Sequence, residues 1–147
     1  MIKQIMLATL LFPLMSFADV CASVPVEFSD AYALTTSVND EQLEVFITVK
    51  NLDPLHEHTL SSVSSPGARL AVFQAYARHS DDTNTTGVSD QVVIPPKGLF
   101  IFRPRNLHIV LNGYKDRPNP DDMISLTFTF ADDCTQTVNN IPVKSPD

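Results

Sequence analysis

Apolar and polar residues alternate along most of the chain beyond residue 20, which is the pattern of strands buried on one face. In EVFITVKN, for example, Val45, Ile47 and Val49 fall on one face of a strand. Runs of the same kind are ARLAVFQAYAR at 68–78, QVVIPP at 91–96, GLFIFRP at 98–104, LHIVLNG at 107–113, ISLTFTFA at 124–131 and TQTVNNIPV at 135–143. Turn residues separate these runs, and DDTNTTGVSD at 81–90 is predicted to be a polar loop. We therefore expect an all-β antiparallel sandwich or barrel in a single domain.

The N-terminal segment has the pattern of a cleavable secretory signal. Lys3 precedes the apolar run IMLATLLFPLMSFA, and Ser16 and Ala18 suit the small-residue positions before a cleavage site. The run is short and contains Pro13, which disfavours a permanent membrane span. We expect export to the periplasm without membrane insertion after cleavage. The predicted division of the chain is a signal peptide at 1–18 and a mature domain at 19–147.

Charge and composition argue against several classes of function. The formal net charge is −7, and removal of the segment with Lys3 makes it one unit more negative. Such an acidic chain argues against nucleic acids and anionic membranes as partners. No serine lies in a G-x-S-x-G elbow, and the paired aspartates lie in turns, where they usually cap the backbone. The four glycines form no phosphate-binding loop. An enzyme is therefore not expected.

The two cysteines, Cys21 and Cys134, are expected to form a disulfide. Export places them in an oxidising compartment. Closing so long a loop contributes about 4 to 5 kcal/mol in the chain-entropy model. A metal-binding or redox pair is the alternative, but the two residues lack a C-x-x-C spacing. Val20 is too large to precede a lipid-modified cysteine, so a soluble exported protein is expected rather than a lipoprotein.

Four histidines, His56, His58, His79 and His108, are candidate metal ligands. His56 and His58 stand two apart, so in a strand both imidazoles would share one face and suit copper or zinc. They follow the turn residues NLDP, however, so a surface loop with two histidines is the favoured interpretation. His79 ends a predicted strand, and His108 begins another.

Four stretches follow one another in an order that carries a family resemblance. They are DAYALTT, VFITVKNLDP, LSSVSSPGARLAVFQAYA and the long segment from VVIPPKG to LTFTF at 92–130. This order of strands and turns resembles the PCuAC family of periplasmic copper chaperones, which pass Cu(I) toward the CuA site of cytochrome c oxidase. The resemblance covers the mature chain and implies a cupredoxin-like antiparallel β-sandwich with Greek-key connections.

The resemblance also assigns positions to the copper ligands. The family binds Cu(I) through an early histidine, a loop methionine and a closing His-x-Met, because thioether and imidazole donors suit Cu(I). His108 matches the closing histidine, whereas Val110 replaces the methionine. The family's loop methionine corresponds to positions 86–88, where this chain has no methionine. Its early histidine corresponds to position 74 or 75, where this chain has no histidine, and His79 lies four or five residues further on. The candidate metal ligands are His108 and His79, and copper is the implied cargo.

The role of His108 has three alternatives, because Met123 is the sole methionine of the mature chain and matches no ligand position. In the first alternative, His108 keeps a copper role and other histidines substitute for the missing methionine ligands, a donor set that favours Cu(II) or Zn(II) over Cu(I). Alternatively it binds no functional metal, or a second copy or a partner completes the site. The expected function is copper delivery toward CuA through a copper-accepting or copper-donating periplasmic or membrane protein. The runner-up is a metal-free interaction sandwich that presents the faces around 80–87 and 103–110.

Overall fold

Ten strands make up most of the part of the chain that the structure describes. The computed structural model describes residues 24–37, 39–78 and 84–146, and for 76–78 and 84–86 it describes the backbone alone. The strands are β1 (Val26–Thr35), β2 (Leu43–Asn51), β3 (His58–Ser64), β4 (Leu70–Arg78), β5 (Asn84–Ser89), β6 (Val92–Ile94), β7 (Leu99–Phe102), β8 (His108–Asn112), β9 (Met123–Phe130) and β10 (Thr135–Lys144). No helix in these ranges is long and apolar enough to cross a membrane.

The strands form one continuous sheet that folds over into a nearly closed, barrel-like sandwich. Neighbours follow the order β5-β4-β8-β2-β1-β10-β9-β3-β6, and β7 also pairs with β2. Among the described residues, β1 and β10 run parallel, through Ala33 with Val143 and Leu34 with Lys144. The other pairs are antiparallel. The predicted all-β sandwich is confirmed.

Alternating side chains of β2 and β9 build the centre of the core. Their fully buried apolar members are Leu43, Val45, Ile47, Val49, Leu126, Phe128 and Phe130. Phe28 of β1 stacks on Phe128 with the two ring centroids 4.6 Å apart, which joins the two sides of the sandwich. Burial of one such side chain contributes about 1.5 to 3 kcal/mol to the free energy of folding relative to exposure. Burial of these side chains is therefore the main interaction that holds the strands together.

Two short strands share one edge of β2. β8 pairs with β2 through residues 43–45, and β7 pairs with it through residues 47–50. The other edge of β2 pairs with β1. The chain therefore leaves the sheet after β7 and returns to it as β8, and the intervening segment at 103–107 forms a turn beside the middle of β2. This turn places His108 at the point where the chain rejoins the sheet.

Two strands differ from the sequence prediction. The prediction of a polar loop at 81–90 is wrong for residues 84–89, which pair with β4 as strand β5. β5 ends the sheet order, and a polar composition fits an edge strand. The alternation predicts no strand at β3, because a register shift between Leu60 and Ser62 interrupts the period of two.

The side chain of Asn51 ties the end of β2 to the segments around it. It is 0% exposed, and its Nδ2 donates to the carbonyl oxygens of His56, Ile94 and Pro95 at 2.9, 3.1 and 3.1 Å. Its Oδ1 accepts the N–H of Asp53 at 2.9 Å. One buried amide therefore satisfies backbone groups of the loop after β2 and of the turn after β6.

Replacing this amide is expected to destabilise the fold. Asn51→Ala should lower the free energy of unfolding by about 3 kcal/mol, because buried carbonyls lose their donor. Urea denaturation at neutral pH measures the difference. The matched control is Asn139→Ala, since Asn139 is exposed, and its effect should stay within about 0.5 kcal/mol. Equal losses in the two variants would contradict the anchoring role of Asn51.

The predicted disulfide involves one described cysteine. Cys134 is 3% exposed and lies between β9 and β10, where its N–H donates to Asp132 Oδ1 at 3.2 Å. Cys21 lies outside the described residues, so the bridge stays a prediction. We expect reduction of the mature protein to lower its free energy of unfolding by about 4 to 5 kcal/mol, since the unfolded chain gains loop entropy. Urea curves with and without reductant test this, and Cys21→Ser should be as unstable as the reduced protein under both conditions.

Candidate metal site

His108 begins β8 and lies on the face of the sheet opposite the core. Ile109 and Leu111 belong to the core, so His108 and Val110, which alternate with them, project the other way. Both are nevertheless buried, at 7% and 4% exposure. The ring of Phe46 from β2 lies beside the imidazole, with ring centroids 5.9 Å apart. His108 therefore occupies a largely desolvated position on the outer face.

A hydrogen bond fixes the tautomer of His108. Its Nδ1 lies 2.9 Å from the carbonyl oxygen of Asn106. A carbonyl oxygen can only accept, so Nδ1 carries the proton and the neutral imidazole has its lone pair on Nε2. The turn positions this carbonyl, since the N–H of Asn106 donates to the carbonyl oxygen of Arg103 at 3.2 Å. Metal-binding histidines characteristically have one nitrogen held in this way while the other binds the ion.

The Nε2 atom of His108 faces a carboxylate. It is buried and has no hydrogen-bond partner. Glu44 Oε1 lies 3.8 Å away, which is too far for a hydrogen bond, and the Glu44 side chain is 33% exposed. Two electron-rich atoms at this separation are stabilised by a positive charge between them. A proton on Nε2 or a bound metal ion would supply it.

The sheet register brings the ligand positions assigned by the resemblance side by side. Gln74 on β4 pairs directly with His108 on β8, and Val88 on β5 pairs with Gln74. Val110 follows two residues after His108 and shares its face. Directly opposed residues on neighbouring strands project from the same face, so these four positions adjoin one another. His108 is the one member that carries an imidazole, and none of the four carries a thioether.

His56 and His58 lie elsewhere on the molecule. His56 Nδ1 and His58 Nε2 both contact Asp53 Oδ2, at 3.3 and 3.1 Å. His58 begins β3, whereas His56 precedes the strand, so the loop interpretation is confirmed for His56 and the shared strand face is wrong. This cluster follows Asn51 at one end of β2, and Glu44 lies about 23 Å along that strand. His56 and His58 therefore do not complete a site with His108.

Asp53 is held in its charged form by this loop. Its Oδ1 accepts the N–H groups of Leu55 and His56 at 2.9 and 3.1 Å. The hydrogen bond from Leu55 is the largest cause of the lowered pKa. Partial burial raises the pKa, and contacts with His58 and His56 lower it further. Together these contacts hold the pKa of Asp53 at about 2, compared with its ordinary value of 3.8.

The sequence as a whole matches the model of one protein family. The match is to "LpqE-like: Putative lipoprotein LpqE-like" and spans residues 26–143. The chain belongs to the LpqE-like family. No curated protein matches the sequence. The description of the LpqE-like family as putative lipoproteins agrees with export of this chain, whereas the expectation of a soluble protein without a lipid at Cys21 stays a prediction.

Solved structures show which fold this LpqE-like chain shares. An apo PCuAC domain of PmoF2 matches with a TM-score of 0.66 at 17% identity, covering 84% of this chain and 92% of that chain. The copper-bound PCuAC domain of PmoF2 matches at 0.65 and 16%, covering 83% and 94%. Apo-DR1885 from Deinococcus radiodurans matches at 0.62 and 18%, covering 85% and 82%. The predicted resemblance to PCuAC domains and the cupredoxin-like fold are confirmed.

The donor set of the LpqE-like chain differs from the one that the resemblance implies. In the described ranges, no three His, Cys, Asp or Glu side chains are arranged to hold a metal ion. Met123 begins β9 and is 64% exposed, and β9 is not a neighbour of β8 in the sheet. His79 lies outside the described residues. The described residues therefore do not fit a Cu(I) site with two thioethers.

Glu44 is the residue of this site that sequence reasoning missed. The alternation of β2 places it on the polar face, which is also the position of an ordinary solvated carboxylate. Its proximity to His108 depends on the pairing of Glu44 with Val110 across β2 and β8. A charged residue near the start of a strand therefore cannot be recognised as a site residue from the sequence until its partner strand is known.

The Asp53 cluster predicts a defined pH dependence of stability. Because the folded-state pKa of about 2 lies below the ordinary 3.8, the Asp53 carboxylate favours the fold above about pH 4. This contribution is lost as the pH falls from about 4 to about 2. Thermal melts of wild type and Asp53→Asn should therefore differ at neutral pH and converge near pH 2. Asp90→Asn, which changes an exposed carboxylate, should stay parallel to wild type, and a constant Asp53→Asn deficit down to pH 2 would contradict the assignment.

Proposed function

We propose that this LpqE-like protein is an exported copper-handling protein that binds copper at His108 and passes it to a partner. One observation carries the proposal. The Nδ1–H of His108 is held by the Asn106 carbonyl, so the buried and unpaired Nε2 presents its lone pair to an ion. The copper-bound PmoF2 domain, which has the same fold, supports copper as the cargo.

Transfer by ligand exchange follows from the small number of donors. An ion held by few protein ligands keeps open coordination positions, which a partner with stronger or more numerous donors can fill. His108 is 7% exposed, so it lies deeper than the ligand of a shallow surface site would. A partner must approach it along the outer face of the sheet. In this proposal the carrier loses copper when the partner adds its own ligands.

The partner and compartment in this proposal come from the resemblance. A copper-accepting or copper-donating protein of the periplasm or its membrane fits a PCuAC-type carrier, and the CuA site is the expected destination. The predicted signal peptide at 1–18 and the family description as lipoproteins support export. The acidic net charge of −7 favours a cationic cargo and a basic partner surface.

A metal-free interaction domain is the second candidate. The observation that favours it is that Gln74, Val88 and Val110 occupy positions where the resemblance expects metal donors. In that case His108 is protonated and forms an ion pair with Glu44. The protein would then act through the outer face of the sheet alone.

A metal titration separates the two candidates. We expect the mature protein to bind one equivalent of copper in competition with a coloured chelator, and His108→Ala to lose that binding because it removes the imidazole that the described residues supply at the site. His56→Ala is the control, since His56 lies at the far end of β2. Circular dichroism verifies that each variant is folded. Wild type that binds no copper tighter than free histidine would leave the metal-free domain as the function.

A further inference from the structure

We propose that Glu44 is the second protein ligand of the His108 site, and that the site therefore takes copper as Cu(II) rather than Cu(I). This inference rests on the proposed function, since it requires that His108 binds copper. It names the oxidation state of the cargo and a ligand that the family resemblance does not supply. The observation that carries it is the 3.8 Å separation of Glu44 Oε1 from His108 Nε2.

The separation is compatible with one ion between the two atoms. Bonds from a metal of this size to imidazole nitrogen and carboxylate oxygen are about 2.0 to 2.2 Å long. Two such bonds span about 2.9 Å at a right angle and about 4.2 Å in line. The observed 3.8 Å falls inside that range, whereas a direct hydrogen bond would require the two atoms to approach within about 3.2 Å. The distance between the two donor atoms is therefore compatible with one bridging ion, and the side chains around the buried Nε2 must move to admit it.

The chemistry of the donors favours Cu(II). Imidazole and carboxylate are borderline and hard ligands that suit Cu(II), whereas Cu(I) prefers the thioethers of methionine. The neighbouring positions Val88 and Val110 offer no sulfur. Gln74 pairs with His108 on the adjacent strand, and its amide oxygen belongs to the same class of donor as the carboxylate. The residues gathered here thus present nitrogen and oxygen to an ion.

Exposure of Glu44 provides an entry route. His108 Nε2 is buried, but the Glu44 side chain is 33% exposed, so the carboxylate connects the imidazole with solvent. A divalent ion can bind Glu44 first and then reach Nε2. The negative charge of Glu44 also offsets part of the charge of Cu(II), which makes burial of the ion less costly than it would be beside a neutral imidazole alone.

The alternative role of Glu44 is to pair with a protonated His108. Both roles place a positive charge between the same two atoms. They differ in the response to copper, because a Glu44 that serves only in an ion pair affects the affinities for Cu(I) and Cu(II) to the same extent. The variant Glu44→Gln distinguishes them, since it keeps the size of the side chain and removes its charge.

The experiment compares Cu(II) and Cu(I) affinities in three variants of the mature protein. Chelator competition is measured for each ion in wild type, Glu44→Gln and His108→Ala, with Glu41→Gln as the control for loss of one exposed negative charge nearby. We expect Glu44→Gln to weaken Cu(II) binding at least about tenfold and to change Cu(I) binding less than about twofold. Electron paramagnetic resonance of the Cu(II) protein should show coupling to imidazole nitrogen that His108→Ala abolishes.

Each outcome decides between the two proposals. Cu(II) binding that depends on both Glu44 and His108, with Glu41→Gln like wild type, supports the inference. Copper binding that depends on His108 but prefers Cu(I) and ignores Glu44→Gln overturns the inference and leaves the proposed function intact. Wild type that binds neither ion overturns both. A loss in Glu41→Gln equal to that in Glu44→Gln means that overall charge is responsible, which also overturns the inference.

Discussion

The sharing of one β2 edge by β7 and β8 is the constraint on which the candidate site depends. One edge of β2 pairs with β1, with a register shift between Ser29 and Tyr32, and its other edge carries two short strands in succession. The chain between them cannot continue along the sheet and turns outward. That turn directs the Asn106 carbonyl toward His108 Nδ1, and the pairing of β8 places Glu44 beside Nε2. Tautomer, burial and carboxylate contact of one histidine all follow from this arrangement.

The similarity to copper-bound domains and the absence of their donors are compatible in physical terms. Val110 is buried where the resemblance expects methionine, so packing there can continue without a thioether, whereas Val88 is 65% exposed and supplies no thioether either. Identities of 16 to 18% with the PCuAC domains are enough for a common sandwich, because the core requires only apolar residues in alternation. Fold similarity therefore does not specify which ion, if any, the site accepts.

Most of the fold could be predicted from the sequence, whereas only part of the site could. The alternation identifies β2 and β9 because each has one fully buried face, as Val45 and Phe128 show. It misses β3, where a bulge breaks the period, and β5, whose polar residues look like a loop until β4 pairs with them. His108 is found through the family resemblance. Glu44 is not, because its contact with His108 depends on strand register between segments that are distant in the sequence.

The parallel pairing of β1 with β10 has a consequence for the order in which the sandwich can be completed. Ala33 and Leu34 pair with Val143 and Lys144, so the first strand finds this partner in the last residues of the fold. A chain that crosses a membrane from its N-terminus cannot join the two sides of the sandwich there until its C-terminal strand has also crossed. Contacts of such high sequence separation form slowly, which leaves the emerging chain open during transport. The seam between the first and last strands thus means that the sandwich is completed only when the last strand is available.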